Sequence, residues 1–359
     1  MSIVDVRTER PYRVRIEHGA LAHLPSLVPD AARVGLVHSE QLADAAEKMA
    51  NHMPGRIIPV PVPDGEAAKN PQVLASCWSR LADAGLTRCD VVIGLGGGAT
   101  TDLAGFVAAS WLRGVGCILL PTTVLAMVDA TVGGKTGINL PQGKNLVGAF
   151  HEPLGVLADL DFLATLSQRD ISSGLAETIK AGFIRDRRIL ESIQEDPADA
   201  CDAASDRLAE LITRGVVFKA EVVGEDLREA TSVEADIGRE LLNYGHTLGH
   251  AIEIHEHFRL RHGEAVSVGM VFAALLSHRL IGLPEEAVET HISCLRMLGL
   301  PVSYADAQWE DLRELMAHDK KSRGTTLRFV GLRELGVPEM ITSPDEQVLA
   351  ECYAQLGRI

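Results

Sequence analysis

Three β-branched residues, Val91-Val92-Ile93, run straight into Gly94-Leu95-Gly96-Gly97-Gly98-Ala99, and a helical pattern follows. A short apolar run ending in a glycine cluster reads as a strand buried on both faces, which calls for a parallel sheet with helices on either side. Residues 90–95 are therefore predicted as a central strand. The rest of the first half repeats the theme. Residues 34–37, 57–61 and 117–120 read as further strands, and helical patterns run through Met49 and over 71–84. This alternation argues for a parallel α/β sheet.

After about residue 162 the pattern changes. Helical spacing dominates 172–184, 207–223, 237–255 and 264–278, and strand signals are few, with one near 327–330. A chain of 359 residues is also long for a single core. The expected organisation is an α/β domain with a parallel sheet over 1–165 and a mostly α-helical domain over 166–359.

Charge excludes one class of partner. The formal net charge is −15, and a field of that sign repels a phosphate backbone, so nucleic acid is not an expected partner. An acidic protein still binds small anions where its few cations converge, which makes the positions of lysine and arginine informative. The six cysteines are scattered without a C-x-x-C pair, as expected for reduced thiols in a cytoplasm. Residues 1–10 carry no apolar signal segment, and the most apolar stretch, 115–134, is interrupted by Pro121 and Asp129. Neither secretion nor a membrane span is expected.

The glycine turn has two readings. Glycines at 94, 96, 97 and 98 allow close approach of backbone to a pyrophosphate at a helix N-terminus, and the segment matches G-x-G-x-x-A. The acidic residue expected about 20 positions later is absent, since residues 115–120 read Val-Gly-Cys-Ile-Leu-Leu. A plain strand-to-helix turn remains open.

A second feature is the series Arg239, Asn243, His246 and His250, spaced four, three and four. On one continuous helix these fall on a narrow face. A solvated face would carry Lys and Glu, so a cation, an amide and two imidazoles favour a site. Gly245 and Gly249 lie within the same stretch and suggest close approach by a ligand or another backbone. His246 and His250 at i, i+4 could share one metal. Glu177 and Lys180 stand at i, i+3 on another predicted helix, and His262 precedes a third. Between 121 and 150, Lys135 and Lys144 each follow a glycine and read as a loop that could cradle phosphate. It is not a nucleotide triphosphate loop, because Asp129 stands where G-x-x-x-x-G-K-[ST] needs its first glycine.

Together these segments resemble the 3-dehydroquinate synthase family along nearly the whole chain. The matching stretches are GEAAK at 65–69, GGGATTDLAGF at 96–106, WLRGV at 111–115, PTTVLAMVDATVGGKTGIN at 121–139 and GKNLVGAFHEP at 143–153. GLAETIKAGFI at 174–184, LLNYGHTLGHAIE at 241–253, RHGEAVSVGM at 261–270 and HDKK at 318–321 complete them. The style is that of the bacterial single-function enzyme.

The resemblance implies an NAD-binding N-terminal domain and a helical domain holding Zn2+ or Co2+. It implies conversion of 3-deoxy-D-arabino-heptulosonate 7-phosphate to 3-dehydroquinate and phosphate, a step toward chorismate and the aromatic amino acids. The chemistry is transient oxidation by NAD, β-elimination of phosphate, re-reduction and aldol cyclisation. By the same resemblance Glu177, His246 and His262 hold the metal, and His250 is reassigned to substrate. Glu66, Lys69, Gly97, Gly98, Asp102, Thr122, Thr123, Lys144 and Thr165 line the cofactor. Asp129 and Lys180 face ring hydroxyls, and Lys219 and Arg239 face the carboxylate. Lys135, Asn145, Asn243, His250 and one of Lys320 and Lys321 face the phosphate. Arg113 reaches the partner subunit's site, which implies a homodimer.

The chain departs from the family pattern in the long spacing between Lys219 and Arg239, as if 232–236 were inserted, and in Ser167-Gln168-Arg169-Asp170, where a Pro-containing turn is usual. The strand end His38-Ser39-Glu40 also lacks the common acidic residue near a ribose. Rival readings are a cyclase acting on a sugar phosphate without a carboxylate, a metal-dependent polyol dehydrogenase and a non-catalytic nucleotide-binding relative. Retention of Arg239 argues against the first, since arginine pairs well with a carboxylate.

Overall fold

The structure is a computed structural model describing residues 1–30, 32–53, 56–228, 237–320 and 327–359, with side chains described throughout except at 318–320. The chain divides into two compact units. The first is Met1–Leu166 together with Lys219–Gly224, and the second is Ser167–Phe218 with Glu225–Ile359.

The first unit is built on a seven-stranded sheet. Its strands are β1 (Ser2–Val6), β2 (Tyr12–Glu17), β3 (Val34–Ser39), β4 (Ile57–Val62), β5 (Val91–Gly96), β6 (Gly116–Pro121) and β9 (Gly155–Asp159), in the order β1-β2-β9-β6-β5-β3-β4. All neighbours run parallel except β1 on β2, where Ser2 pairs with Ile16 and Val6 with Tyr12. Every residue of β3 and of β5 is buried, as a strand covered on both faces requires. Helices α1 (Ala43–His52), α2 (Pro71–Asp83) and α3 (Gly98–Ser110) follow β3, β4 and β5 in turn. Asn70 starts α2 by accepting from Val73 N at 2.9 Å, with Pro71 in the first turn where a missing N–H costs nothing.

From β3 the chain steps outward to β4, and from β5 it steps the other way to β6. The carboxyl ends of β3 and β5 therefore flank a switch point, the position where open parallel sheets bind ligands. Residues 135–150 are not the loop the sequence suggested. They form an antiparallel hairpin of β7 (Lys135–Leu140) and β8 (Gly143–Phe150), so both flagged lysines lie on strands.

The second unit is mainly helical. Its longer helices are α4 (Gln168–Ile184), α5 (Arg187–Glu195), α6 (Asp206–Glu225), α7 (His246–His255), α8 (His262–Ile281), α9 (Glu285–Met297), α10 (Trp309–Lys320) and α11 (Glu346–Leu356), with Lys219–Gly224 of α6 assigned to the first unit. One strand was expected near 327–330. It is β10 (Arg328–Glu334), and it pairs antiparallel with β11 (Val337–Thr342). Helix α8 is long and apolar enough to span a membrane by length and composition. Its residues from Gly263 to Ser277 are all buried within the protein, so it is a core helix.

The helix predicted over 237–255 is interrupted. Gly238–Asn243 forms a 3-10 turn, Gly245 takes a left-handed φ of 79°, and α7 begins only at His246. The reason is packing. A Cβ at Gly245 would press on Met270 N at 2.8 Å and Val266 O at 2.9 Å, so the entry to α7 turns directly against α8. Arg239 and Asn243 thus do not share a helical face with His246 and His250. The close approach that the two glycines signalled is to another backbone.

Candidate metal centre and cofactor turn

In the second unit, three helices deliver one cluster, its carboxylate buried and its two histidines half-buried. Glu177 comes from α4, His246 from the first position of α7 and His262 from the first position of α8. Helix α4 is fixed at its start by Ser167, which accepts from Asp170 N at 3.2 Å. Helix α8 starts in a capping arrangement in which Glu264 Oε2 accepts from Arg261 N at 2.9 Å while Arg169 grips both Glu264 oxygens. Gly263 then lets α8 lie against the Ser173 carbonyl of α4, and Gly269 lets it lie against Gly245. Any Cβ at either position would overlap those carbonyl oxygens.

Glu177 Oε1 lies 3.5 Å from His246 Nε2 and 3.5 Å from His262 Nε2. Ligands about 2.1 Å from a tetrahedral zinc stand about 3.4 Å apart, so these two edges have the right length for one ion. The donor set agrees. Glu177 Oε2 is taken by the ammonium of Lys180, whose Nζ also donates to Leu242 O at 2.6 Å. Glu177 Oε1 is buried and accepts no hydrogen bond. His246 Nδ1 faces Tyr244 O at 3.1 Å, and His262 Nδ1 faces Glu253 Oε2 at 3.3 Å. With each Nδ1 bearing a proton toward its acceptor, both Nε2 lone pairs point toward Glu177. Once the His262 Nε2 proton is displaced, three lone-pair atoms converge, an arrangement that a cation completes. A carboxylate and two imidazoles fit a divalent ion such as zinc and leave further positions open to substrate.

The electrostatics match. Burial alone would raise Glu177, but Lys180, His246 and His262 hold it well below the ordinary carboxylate range. Burial and then Lys180 push His246 down to about 3, so it is neutral. Burial would lower His262 too, but the Glu177 and Glu253 carboxylates outweigh it and lift His262 to about 10. Without an ion, one proton on His262 balances the cluster.

The i, i+4 pair His246 and His250 does not close the three-residue cluster around Glu177. His250 instead groups with Glu253 and His262, their ligand atoms lying within 4.8 Å of one another. Arg239 is 2% exposed, and its Nη1 donates to Leu227 O. Asn243 ends the 3-10 turn before Tyr244. Of the lysine pair at 320 and 321, the Lys320 side chain and Lys321 lie outside the described residues, as do 232–236.

In the first unit, Gly97 is the N-cap of α3 and no side chain caps it. The first turn thus keeps its N–H groups for a ligand at the end of β5, which fits a pyrophosphate. Thr122 N donates to Gly96 O at 3.0 Å, so the end of β6 lies beside this turn, and Thr123 would stand 3.5 Å from a Cβ at Gly97. Lys69 is 3% exposed and donates to Asp102 at 2.6 Å and to Asn145 Oδ1 at 2.6 Å. Burial raises the Asp102 carboxyl, with Lys69 opposing.

Asn139 links the rest. Its Nδ2 donates to Glu66 at 2.6 Å, its Oδ1 accepts from Asn145 N at 2.9 Å, and its N–H donates to Lys69 O at 2.8 Å. Sequence reasoning missed Asn139, although it closes the quoted TGIN stretch. Asn145, expected toward phosphate, stands in this group with Glu66, Lys69 and Asp102.

Asp129 lies in a π-turn, Ala126–Ala130, and both its carboxylate and its main-chain oxygen accept from Lys219 Nζ. Thr165 lies in a separate 3-10 turn with its hydroxyl donated to Phe162 O at 2.6 Å. Arg113 is exposed, with a left-handed φ of 70° after Leu112 at 48°. Lys135 is exposed and Lys144 half-buried on the hairpin.

Two family models match in tandem, 3-dehydroquinate synthase N-terminal over residues 59–173 and 3-dehydroquinate synthase C-terminal over 174–322. The chain belongs to the 3-dehydroquinate synthase family. It is 51% identical to the 3-dehydroquinate synthase of Cutibacterium acnes, covering 98% of both chains. Among solved structures, 2-deoxy-scyllo-inosose synthase complexed with carbaglucose-6-phosphate, NAD+ and Co2+ superposes with a TM-score of 0.87 at 25% identity over 99% of each chain. The 2-epi-5-epi-valiolone synthase of Streptomyces hygroscopicus subsp. jinggangensis, with NAD+ and Zn2+ bound, shares the fold with a TM-score of 0.89 at 24% identity, over 100% of this chain and 99% of that one. The 3-dehydroquinate synthase likeness is thus twice as deep in identity as the likeness to either of these cyclases.

Proposed function

We propose that the protein converts 3-deoxy-D-arabino-heptulosonate 7-phosphate to 3-dehydroquinate and phosphate, as a carbon–oxygen lyase that needs NAD and a divalent metal. The observation that carries this reading is Glu177 Oε1 standing 3.5 Å from two imidazole Nε2 atoms in a chain with a full-length 3-dehydroquinate synthase relative. Bound NAD supplies a hydride acceptor that becomes the donor, and Zn2+ or Co2+ supplies Lewis acidity at substrate hydroxyls.

The protein's own residues divide the remaining work. Glu177, His246 and His262 hold the ion. The uncapped turn at Gly97 and Gly98 takes the pyrophosphate, with Glu66, Lys69, Asp102, Thr122, Thr123, Lys144 and Thr165 around the cofactor. Lys180 is anchored by Glu177 and Leu242 O, so its charge is fixed beside the metal ligands, where it orients a ring hydroxyl. Asp129 serves the same ring, with its carboxylate oriented by Lys219. Arg239 and Lys219 are assigned to the substrate carboxylate, which gives Lys219 two tasks. Lys135, Asn145, Asn243, His250 and one of Lys320 and Lys321 are assigned to the phosphate. Its departure puts negative charge on oxygen, and fixed cations and amide N–H groups stabilise that charge. The leaving phosphate's own oxygen accepts the proton from the carbon beside the new ketone.

A homodimer with Arg113 reaching the partner's site, and a cytoplasmic location in keeping with six free thiols, complete the reading. The test is a substrate panel with NAD and zinc present. Turnover of the heptulosonate phosphate alone supports the proposal. Turnover of sedoheptulose 7-phosphate or glucose 6-phosphate in its place, or steady NADH production from a polyol, would replace it.

A further inference from the structure

We propose that Glu253 is the positioning residue of the metal centre: it keeps the proton on His262 Nδ1, so that Nε2 is the nitrogen that exchanges its proton for an ion. The inference rests on the metal reading above. A neutral imidazole carries its proton on one nitrogen only, and the hydrogen bond made by one nitrogen decides what the other can do. His262 stands between two carboxylates. Glu177 Oε1 lies 3.5 Å from Nε2, and Glu253 Oε2 lies 3.3 Å from Nδ1. A proton on Nε2 would point at Glu177 and close the face on which the ligand atoms converge. A proton on Nδ1, toward Glu253, leaves the Nε2 lone pair facing Glu177 Oε1.

Glu253 is built for that task. It is 5% exposed and lies on α7 seven residues after His246, on the same helical face. One rigid helix therefore supplies one ligand and the acceptor that orients another. The two imidazoles are held differently. His246 Nδ1 faces the Tyr244 main-chain carbonyl, which no substitution deletes, whereas His262 Nδ1 faces a side chain that can be exchanged. His250 lies on the same face, its ligand nitrogen within 4.8 Å of those of Glu253 and His262, so Glu253 stands against both rings.

The test uses the full chain stripped of metal. Zn2+ affinity is read by competition with a chromogenic chelator, and ligand geometry by the visible absorption of bound Co2+. Glu253→Gln is expected to weaken Zn2+ binding roughly 10–100-fold and to change the Co2+ bands. Glu253→Asp, which keeps a carboxylate, recovers part of the affinity. Urea midpoints of the metal-free variants separate orientation from folding, and if Glu253→Gln does not fold, Glu253→Asp alone is expected to bind several-fold more weakly than the parent. Parent-like affinity and Co2+ bands in the folded variants overturn the positioning role. A parent protein that binds neither ion overturns the metal reading beneath it.

Discussion

Gly269 on α8 faces the carbonyl of Gly245, the left-handed residue that opens α7. A side chain on Gly269 would overlap that oxygen and also crowd Gly249 N. The distance between the two histidine-bearing helices is therefore set where neither carries a side chain.

This contact predicts that Gly269→Ala destabilises the fold by about 1–3 kcal/mol and weakens metal binding, because α7 and α8 move apart. Gly282→Ala is the control. Gly282 also has a left-handed φ, 78°, but nothing lies near its missing Cβ, so it should cost about 1 kcal/mol and leave metal affinity alone. Thermal unfolding and chelator competition on both variants make the comparison.

Metal binding should release one proton at neutral pH. His246 is already neutral and Glu177 already ionised, whereas His262, lifted to about 10, is protonated until an ion replaces its proton. Apparent affinity should therefore rise about tenfold per pH unit up to about pH 10. Calorimetry in buffers of different ionisation enthalpy counts the protons. Zero or two would contradict the assignment.

Stability should fall in mild acid through His291. This residue is fully buried, stacks on Phe183 with ring centroids 3.7 Å apart, and bonds Tyr244 Oη at 2.8 Å and Ala287 O at 2.7 Å. Burial pushes it down to about 4. Below its ordinary value of about 6.5 the unfolded chain takes up a proton that the native state refuses, so stability drops from pH 6.5 toward 4, by up to about 3 kcal/mol. His291→Gln should be less stable at pH 7 yet lose less between pH 7 and 4.5 in urea titrations.

Lys69→Met should weaken NAD binding by about tenfold or more, because it leaves Asp102 without its ammonium partner and Asn145 Oδ1 without its donor. Quenching of protein fluorescence by NAD would measure it. Unchanged affinity would remove the Lys69, Asp102 and Asn145 group from the cofactor site.

What sequence could reveal follows from where information is local. Strands β3, β5 and β6 were legible because buried parallel strands are written as short apolar runs, and the edge strand β4 because it too is an apolar run. The β7–β8 hairpin was not, since glycines that look like loop residues serve strand pairing. Gly137 lies opposite Gly148, and a Cβ at Gly148 would overlap the Thr136 carbonyl. The break at Gly245 was hidden for a similar reason, because a helical pattern says nothing of what presses on it from α8. The metal cluster shows the same limit. Local spacing suggested His246 with His250, yet the partners that meet His246 come from other helices, 69 residues before and 16 after it in the chain. Family resemblance supplied that set, and the orienting contacts of Tyr244 O and Glu253 emerged only in three dimensions.

The most direct measurement is inorganic phosphate released from 3-deoxy-D-arabino-heptulosonate 7-phosphate with zinc and NAD well below substrate concentration, while absorbance at the NADH maximum is recorded. The account predicts many phosphates released per NAD, no build-up of NADH, and a product that a dehydroquinate dehydratase consumes. Phosphate release limited to one per NAD, or none where a known 3-dehydroquinate synthase turns over, would contradict it.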